Sequence, residues 1–281
     1  MVMSVEFEPT RNLDIELLRW HAAAGADVIL DDYPHDRFKE ISALDSNRPA
    51  SHAANLEKST SPRPGPKTRL PPASIVAAGS SDEWVLRAQD EARSAQSLEE
   101  LRERLENFDG SVLKRTARSL IMATAPAPSG VLIIGDVPEA DDDRSGEAFS
   151  GRAGLLLNLM LGAIGLSRDA VALTTALPWR PPGNRAPTPR ELAVLSPFLA
   201  RQISLTAPKL ILAFGTNVGQ MLAGREEPLV KQRGQWIELK FEERVVPLLT
   251  TLGPVHLLRH PTQKRYAWQD LKNFRERLNG F

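Results

Sequence analysis

The chain has 281 residues, 42% of them apolar and 25% charged, with 35 basic side chains against 35 acidic ones. Those figures fit a globular protein with room for one good-sized domain and an appendage, and exclude a disordered or fibrous chain. Cysteine is absent, which excludes disulfides, thiolate metal sites and cysteine-held clusters; no apolar run approaches the roughly 18 residues of a membrane span.

The first residues, MVMSVEFEPTRN, lack the basic and apolar parts of a secretory signal, so the cytoplasm is the expected compartment. Residues 13–24 (LDIELLRWHAAA) read as a short amphipathic helix that ends near Gly25. Residues 1–42 are accordingly taken as a helical appendage. From residue 43 to 82 the sequence turns rich in Pro, Ser and Ala, with too few large apolar groups to offset the entropy of ordering, and a flexible linker is expected.

The main domain is expected over 83–281. It opens with a helical stretch over 83–107, where Leu98, Leu101, Leu105 and Phe108 share a face and Ser97 with Glu100 has the spacing of a capping box. Apolar runs at 131–135, 171–175, 210–214 and 245–251 then alternate with helical patterns at 152–164, 189–205, 215–223 and 263–278. Short apolar strands separated by helices predict an α/β fold: a three-layer α/β/α sandwich around a four-stranded, mainly parallel sheet.

Ligands of such sheets bind beyond the carboxyl ends of the strands. Four segments therefore converge on one crevice: Asp136–Asp143, Thr175–Arg185, Gly215–Asn217 and Gly253–Arg259. Gly135 permits a sharp turn that presents the Asp136 carboxylate, whereas Asp141 to Asp143 read as a solvated acidic turn. Arg180 and Arg185 lie in the rigid loop RPPGNR, suited to phosphate. From residue 151 onward the chain carries twice as many basic as acidic side chains, a balance that suits a polyanion or pairs with the acidic first half. No P-loop or GxGxxG fingerprint points to a mononucleotide or dinucleotide site.

Over about residues 97–281 the motifs GDVPEADDD, EAFSGRAG, RPPGNR and GPVHLLRHP closely resemble those of the uracil-DNA glycosylase superfamily, in particular its iron–sulphur-type (family 4) bacterial branch. The resemblance implies DNA holding uracil or another deaminated base as the partner, base flipping, and hydrolysis of the N-glycosidic bond, by a protein expected to be a monomer. It implies that Asp136 positions water, that Gly135, Phe149 and Thr175 form the base site, and that Phe149 stacks on the flipped base. It also implies that Arg180, Asn184, Arg185, His256, Leu257, Leu258 and Arg259 meet DNA, with the two leucines as a wedge.

Several positions depart from the family pattern. Glu139 stands in place of a glycine, Ala148 in place of a proline, Thr175 in place of an asparagine that reads uracil, and Gly253 in place of the histidine that steadies the leaving base. Ser111, Trp179 and Leu195 stand where cluster cysteines are expected, so no iron–sulphur cluster and no other cofactor is expected. Leu257 reads either as wedge or as core, and His256 as an inward group, a phosphate contact or a surface residue. Two functions stay open: a glycosylase of weakened or altered activity, and a catalytically inactive DNA-binding or protein-interaction module on the same scaffold. Changing Gly253 to His together with Thr175 to Asn is expected to restore activity in part.

Overall fold

The computed structural model describes residues 81–241 and 244–280. The helix expected at 13–24 and the linker expected over 43–82 lie outside them, apart from residues 81–82, which begin the first described helix. Among the described residues no helix is long and apolar enough to cross a membrane.

Four parallel strands form the centre: β1 (Val131–Gly135), β2 (Ala172–Thr175), β3 (Leu210–Phe214) and β5 (Arg244–Thr251). A fifth strand that the sequence reading did not anticipate, β4 (Trp236–Phe241), pairs antiparallel with β5 and completes the order β2-β1-β3-β5-β4. It escaped notice because an edge strand with one wet face mixes Glu238 and Lys240 among its apolar residues, and only Leu239 is buried.

β1 and β3 are buried at every position, as strands covered on both faces must be. Alternation divides the core in two. Ile133, Leu210, Leu212 and Leu249 face α4 (Gly151–Ala163) and α9 (Lys264–Leu278). Leu132, Ile134, Ile211 and Leu248 face α5 (Pro189–Thr206). This is the expected three-layer α/β/α arrangement. A third cluster joins the outer side of α5, through Leu195 and Phe198, to α1 (Ser81–Ser94) and α2 (Leu98–Asn107). The stretch expected as helical over 83–107 is thus two helices, broken before Ser97. Ser97 does cap α2 by accepting from Glu100 N, but the Glu100 carboxylate turns to Gln96 N instead of closing the box on Ser97.

Short helices occupy the strand ends: α3 (Ala140–Ser145), α6 (Asn217–Ala223), α7 (Leu229–Gln232) and α8 (Pro254–Arg259). From β1 the chain moves to β2 on one side and then crosses to β3 on the other. The reversal lies between the carboxyl ends of β1 and β3, the place where open sheets of this kind form a crevice.

Candidate active site

At that reversal sits a cavity of about 300 Å³, and all four converging segments contribute to its wall. Asp136 is the first residue after β1, and its Oδ1 accepts a 3.0 Å hydrogen bond from the backbone N–H of Asn217, across the gap in the first turn after β3. The close approach depends on Gly215, whose φ is +89° and on which a Cβ would fall 2.3 Å from Asp136 Cγ. Burial pushes the Asp136 carboxyl from 3.8 up to about 6; the hydrogen bonds from Asn217 offset only part of that. An acid in this setting is ionised at neutral pH yet basic enough to take a proton from water.

Phe149 stands beside it, with its ring close to Gly135 and edge-on to Phe214 at 5.7 Å. Its backbone is left-handed (φ +57°), a costly conformation for a bulky residue, and the surroundings hold it there. Arg168 donates to the carbonyls of Ala148 and Phe149, at 2.8 and 3.2 Å. Gly154 leaves room for the Phe149 carbonyl, which a Cβ there would strike.

Thr175 lines the cavity from the end of β2, but its hydroxyl donates to the carbonyl of Leu177 at 2.7 Å and its methyl faces Gly135. The hydroxyl hydrogen expected for a base contact is therefore already engaged, because a threonine on a strand end finds its own loop within reach. Gly253 ends the segment after β5 and brings no side chain; a Cβ there would meet Phe214 Cβ at 2.8 Å.

The expected DNA-facing residues divide. Leu257 is fully buried in the core against α4 and α9, so the core alternative is the one the fold adopts and the wedge role is corrected: the i,i+3 face of α8 that carries it points inward. Leu258 is half-buried and Arg259 is 64% exposed. Arg185 makes a bidentate pair with Glu191, at 2.6 and 2.8 Å, and the same Glu191 closes a capping box with Thr188 at the start of α5. That pairing, with a residue six positions on, engages the guanidinium expected to meet phosphate. Arg180 donates to Asn184 Oδ1 at 2.8 Å, and Asn184 Nδ2 donates to Glu139 Oε2 at 2.9 Å. The other Glu139 oxygen lies 3.6 Å from Arg259. Glu139 thus links the RPPGNR loop to α8 across the mouth of the cavity.

The acidic run after Glu139 is not a solvated turn. Asp142 is buried, accepts from Ser150 N and Glu139 N, and has its carboxyl raised, chiefly by burial. Asp143 accepts from Arg118 N and Ser119 N. Only Asp141 remains outside, paired with Arg144. Both buried acids cap backbone that the fold needs, which composition alone does not reveal.

His256 lines the cavity half-buried, with Nε2 3.0 Å from Gln263 Oε1 and its ring 4.7 Å from that of His260. His260 and Phe214 belong to the cavity although sequence reasoning passed over both. For His260 the available signal was its position four residues after His256, one helical turn on. For Phe214 it was a bulky aromatic at the very end of a buried strand.

Ser111, Trp179 and Leu195 are all buried, and the last two share one apolar cluster. A hydroxyl, an indole and a leucine offer no thiolate, so these positions do not fit an iron–sulphur cluster. Among the described residues no group of three His, Asp or Glu side chains is placed to hold a metal ion.

Residues 122–272 match the family model of the uracil DNA glycosylase superfamily. The chain is 29% identical over 185 residues to a type-4 uracil-DNA glycosylase of Sulfurisphaera tokodaii, a match that covers 64% of this chain and 84% of that protein. It is 30% identical over 181 residues to a type-4 uracil-DNA glycosylase of Pyrobaculum aerophilum, covering 63% and 92%. For one of Thermotoga maritima the figures are 29% over 178 residues, covering 62% and 91%.

Proposed function

The chain belongs to the uracil-DNA glycosylase superfamily, and we propose that it is a working glycosylase of reduced rate, which takes a flipped, deaminated base from DNA into the cavity and hydrolyses its N-glycosidic bond. The observation that carries this is Asp136: a carboxylate at the topological crevice, raised to about 6 and held against Asn217, beside an aromatic ring. Asp136 orients the attacking water and takes its proton as the water oxygen bonds to C1′. Phe149 offers its ring to the base, a contact worth roughly 1–3 kcal/mol. The reduced rate follows from Thr175, whose hydroxyl hydrogen is spent on Leu177, and from Gly253, which brings no donor to the departing base; a missing donor of that kind costs about 100- to 1000-fold.

A second reading, a DNA-binding module without catalysis, is favoured by the same two residues. Single-turnover assays on oligonucleotides holding uracil, hypoxanthine or xanthine separate the two. Release of any of these bases, lost in Asp136→Ala, supports the enzyme. Tight DNA binding with all three bases retained supports the module.

A further inference from the structure

A base that leaves as an anion needs a donor or a positive charge near its developing negative oxygen, and Gly253 supplies neither. Phe214 closes the space beside it, so no neighbouring side chain reaches through from that side. Most of the donors that line the cavity are committed. Asn184 and Arg259 engage the Glu139 carboxylate, and Thr175 donates to Leu177. Two imidazoles remain, those of His256 and His260. His260 is exposed, whereas His256 is half-buried and anchored through Nε2 to Gln263. A ring held in place before reaction costs no reorganisation when charge develops, and the bond to Gln263 uses only one of the two nitrogens of His256, which singles it out. With the amide oxygen of Gln263 toward the ring, Nε2 carries a proton that is spent on that bond, and Nδ1 is the nitrogen left for the base. The groups that share the cavity with it are the carboxylates of Asp136, Glu139 and Asp142, the guanidinium of Arg259 and the ring of His260.

We propose that His256 is a catalytic residue of this chain, stabilising the departing base from one turn into α8 in place of a side chain at Gly253. This rests on the reading of the site as a glycosylase. In the step, the C1′–N bond breaks with its electron pair on the base, and the water oxygen bonds to C1′ and gives its proton to Asp136. His256 enters the step as the imidazolium, keeps its Nε2–H on Gln263 and gives its Nδ1 proton to the base, which leaves neutral. Both side chains then return to their starting states by exchange with solvent.

The test uses the full chain at enzyme excess on two duplexes that differ only in the target base, uracil or 5-fluorouracil. The fluorinated base is the more acidic leaving group and needs less help to depart. His256→Ala is expected to slow uracil release by about 100-fold and 5-fluorouracil release by a clearly smaller factor. His256→Gln, which keeps an N–H donor, should recover part of the loss on uracil. A merely structural role would slow both bases equally, and that result overturns the proposal, as does wild-type speed in His256→Ala. If His256→Ala does not fold, the same comparison of the two bases in His256→Gln decides: a larger loss on uracil supports the role, and an equal loss or none overturns it. A wild type inert on both bases overturns this proposal together with the reading beneath it. A wild type active on both, with equal losses in the variants, removes His256 alone.

Discussion

A Cβ on Gly253 would stand 2.8 Å from the Cβ of Phe214. Neither atom can swing aside by changing a rotamer, because each is fixed to its own backbone, and the ends of β3 and β5 are hydrogen-bonded neighbours with Phe214 opposite Thr251. Any side chain at 253 must spread the two strands. The partial restoration of activity expected for Gly253→His with Thr175→Asn therefore meets a steric obstacle that the sequence did not reveal. Gly253→Ala is expected to cost about 1–3 kcal/mol by overpacking, read as a lower midpoint in urea, and Gly253→His at least as much. An unchanged midpoint for Gly253→Ala would show that the strands give way freely.

Asp136 predicts two pH dependences of opposite benefit. Its carboxyl titrates near 6 in the folded protein and near 3.8 when unfolded, so the folded state binds the proton more tightly. Stability contributed by the protonated acid is present below about pH 4 and is lost as pH rises through about 6. Asp136→Asn should be more stable than wild type at pH 8, by about 2 kcal/mol once partial exposure is allowed for, and the gap should close near pH 4. Excision runs the other way, rising as the carboxylate forms through about pH 6. Melting temperatures of both proteins across that range check the first, and a pH–rate profile checks the second.

The link from Glu139 to Asn184 and Arg259 places a negative charge where a DNA backbone is expected to lie. Glu139→Gln removes the repulsion and frees Arg259, while an amide can still accept from Asn184. Affinity for duplex DNA should rise several-fold at low salt, and the gain should fade as salt screens it. Fluorescence anisotropy over a salt series measures both. Weaker binding in Glu139→Gln would mean that the carboxylate positions the loops more than it repels phosphate.

Arg185 and Arg259 should behave differently although both are exposed arginines of segments expected to meet DNA. Arg259→Ala is expected to weaken DNA binding and reduce the salt slope by about one. Arg185→Ala should leave the slope alone and cost about 1–2 kcal/mol of stability, since Glu191 at the start of α5 loses its bidentate partner. Equal losses of slope would return Arg185 to the DNA surface.

The scaffold was legible because its strands are continuous apolar runs and its helices carry clear stripes; the four central strands lie within a residue of where they were expected. β4 was not, since an edge strand reads as a mixed segment. Within the site, the residues at strand ends were legible from topology alone, Asp136 and Thr175 among them, whereas Phe149, in the loop before α4, came from the family resemblance. What the sequence hid were the partners. Thr175 turning to Leu177, Arg185 to Glu191, and Asp142 to Ser150 are short-range hydrogen bonds chosen by loop geometry. Phe214 against Gly253 is a long-range contact that no periodicity encodes.

The central claim is that Asp136 makes this chain a glycosylase, and the formation of abasic sites in a uracil-containing duplex at enzyme excess tests it most directly. The account predicts slow but complete conversion by the wild type at pH 7.5, and none by Asp136→Asn bound to the same duplex with unchanged affinity. Conversion at wild-type speed by Asp136→Asn, or none by a wild type that binds the duplex, would contradict it.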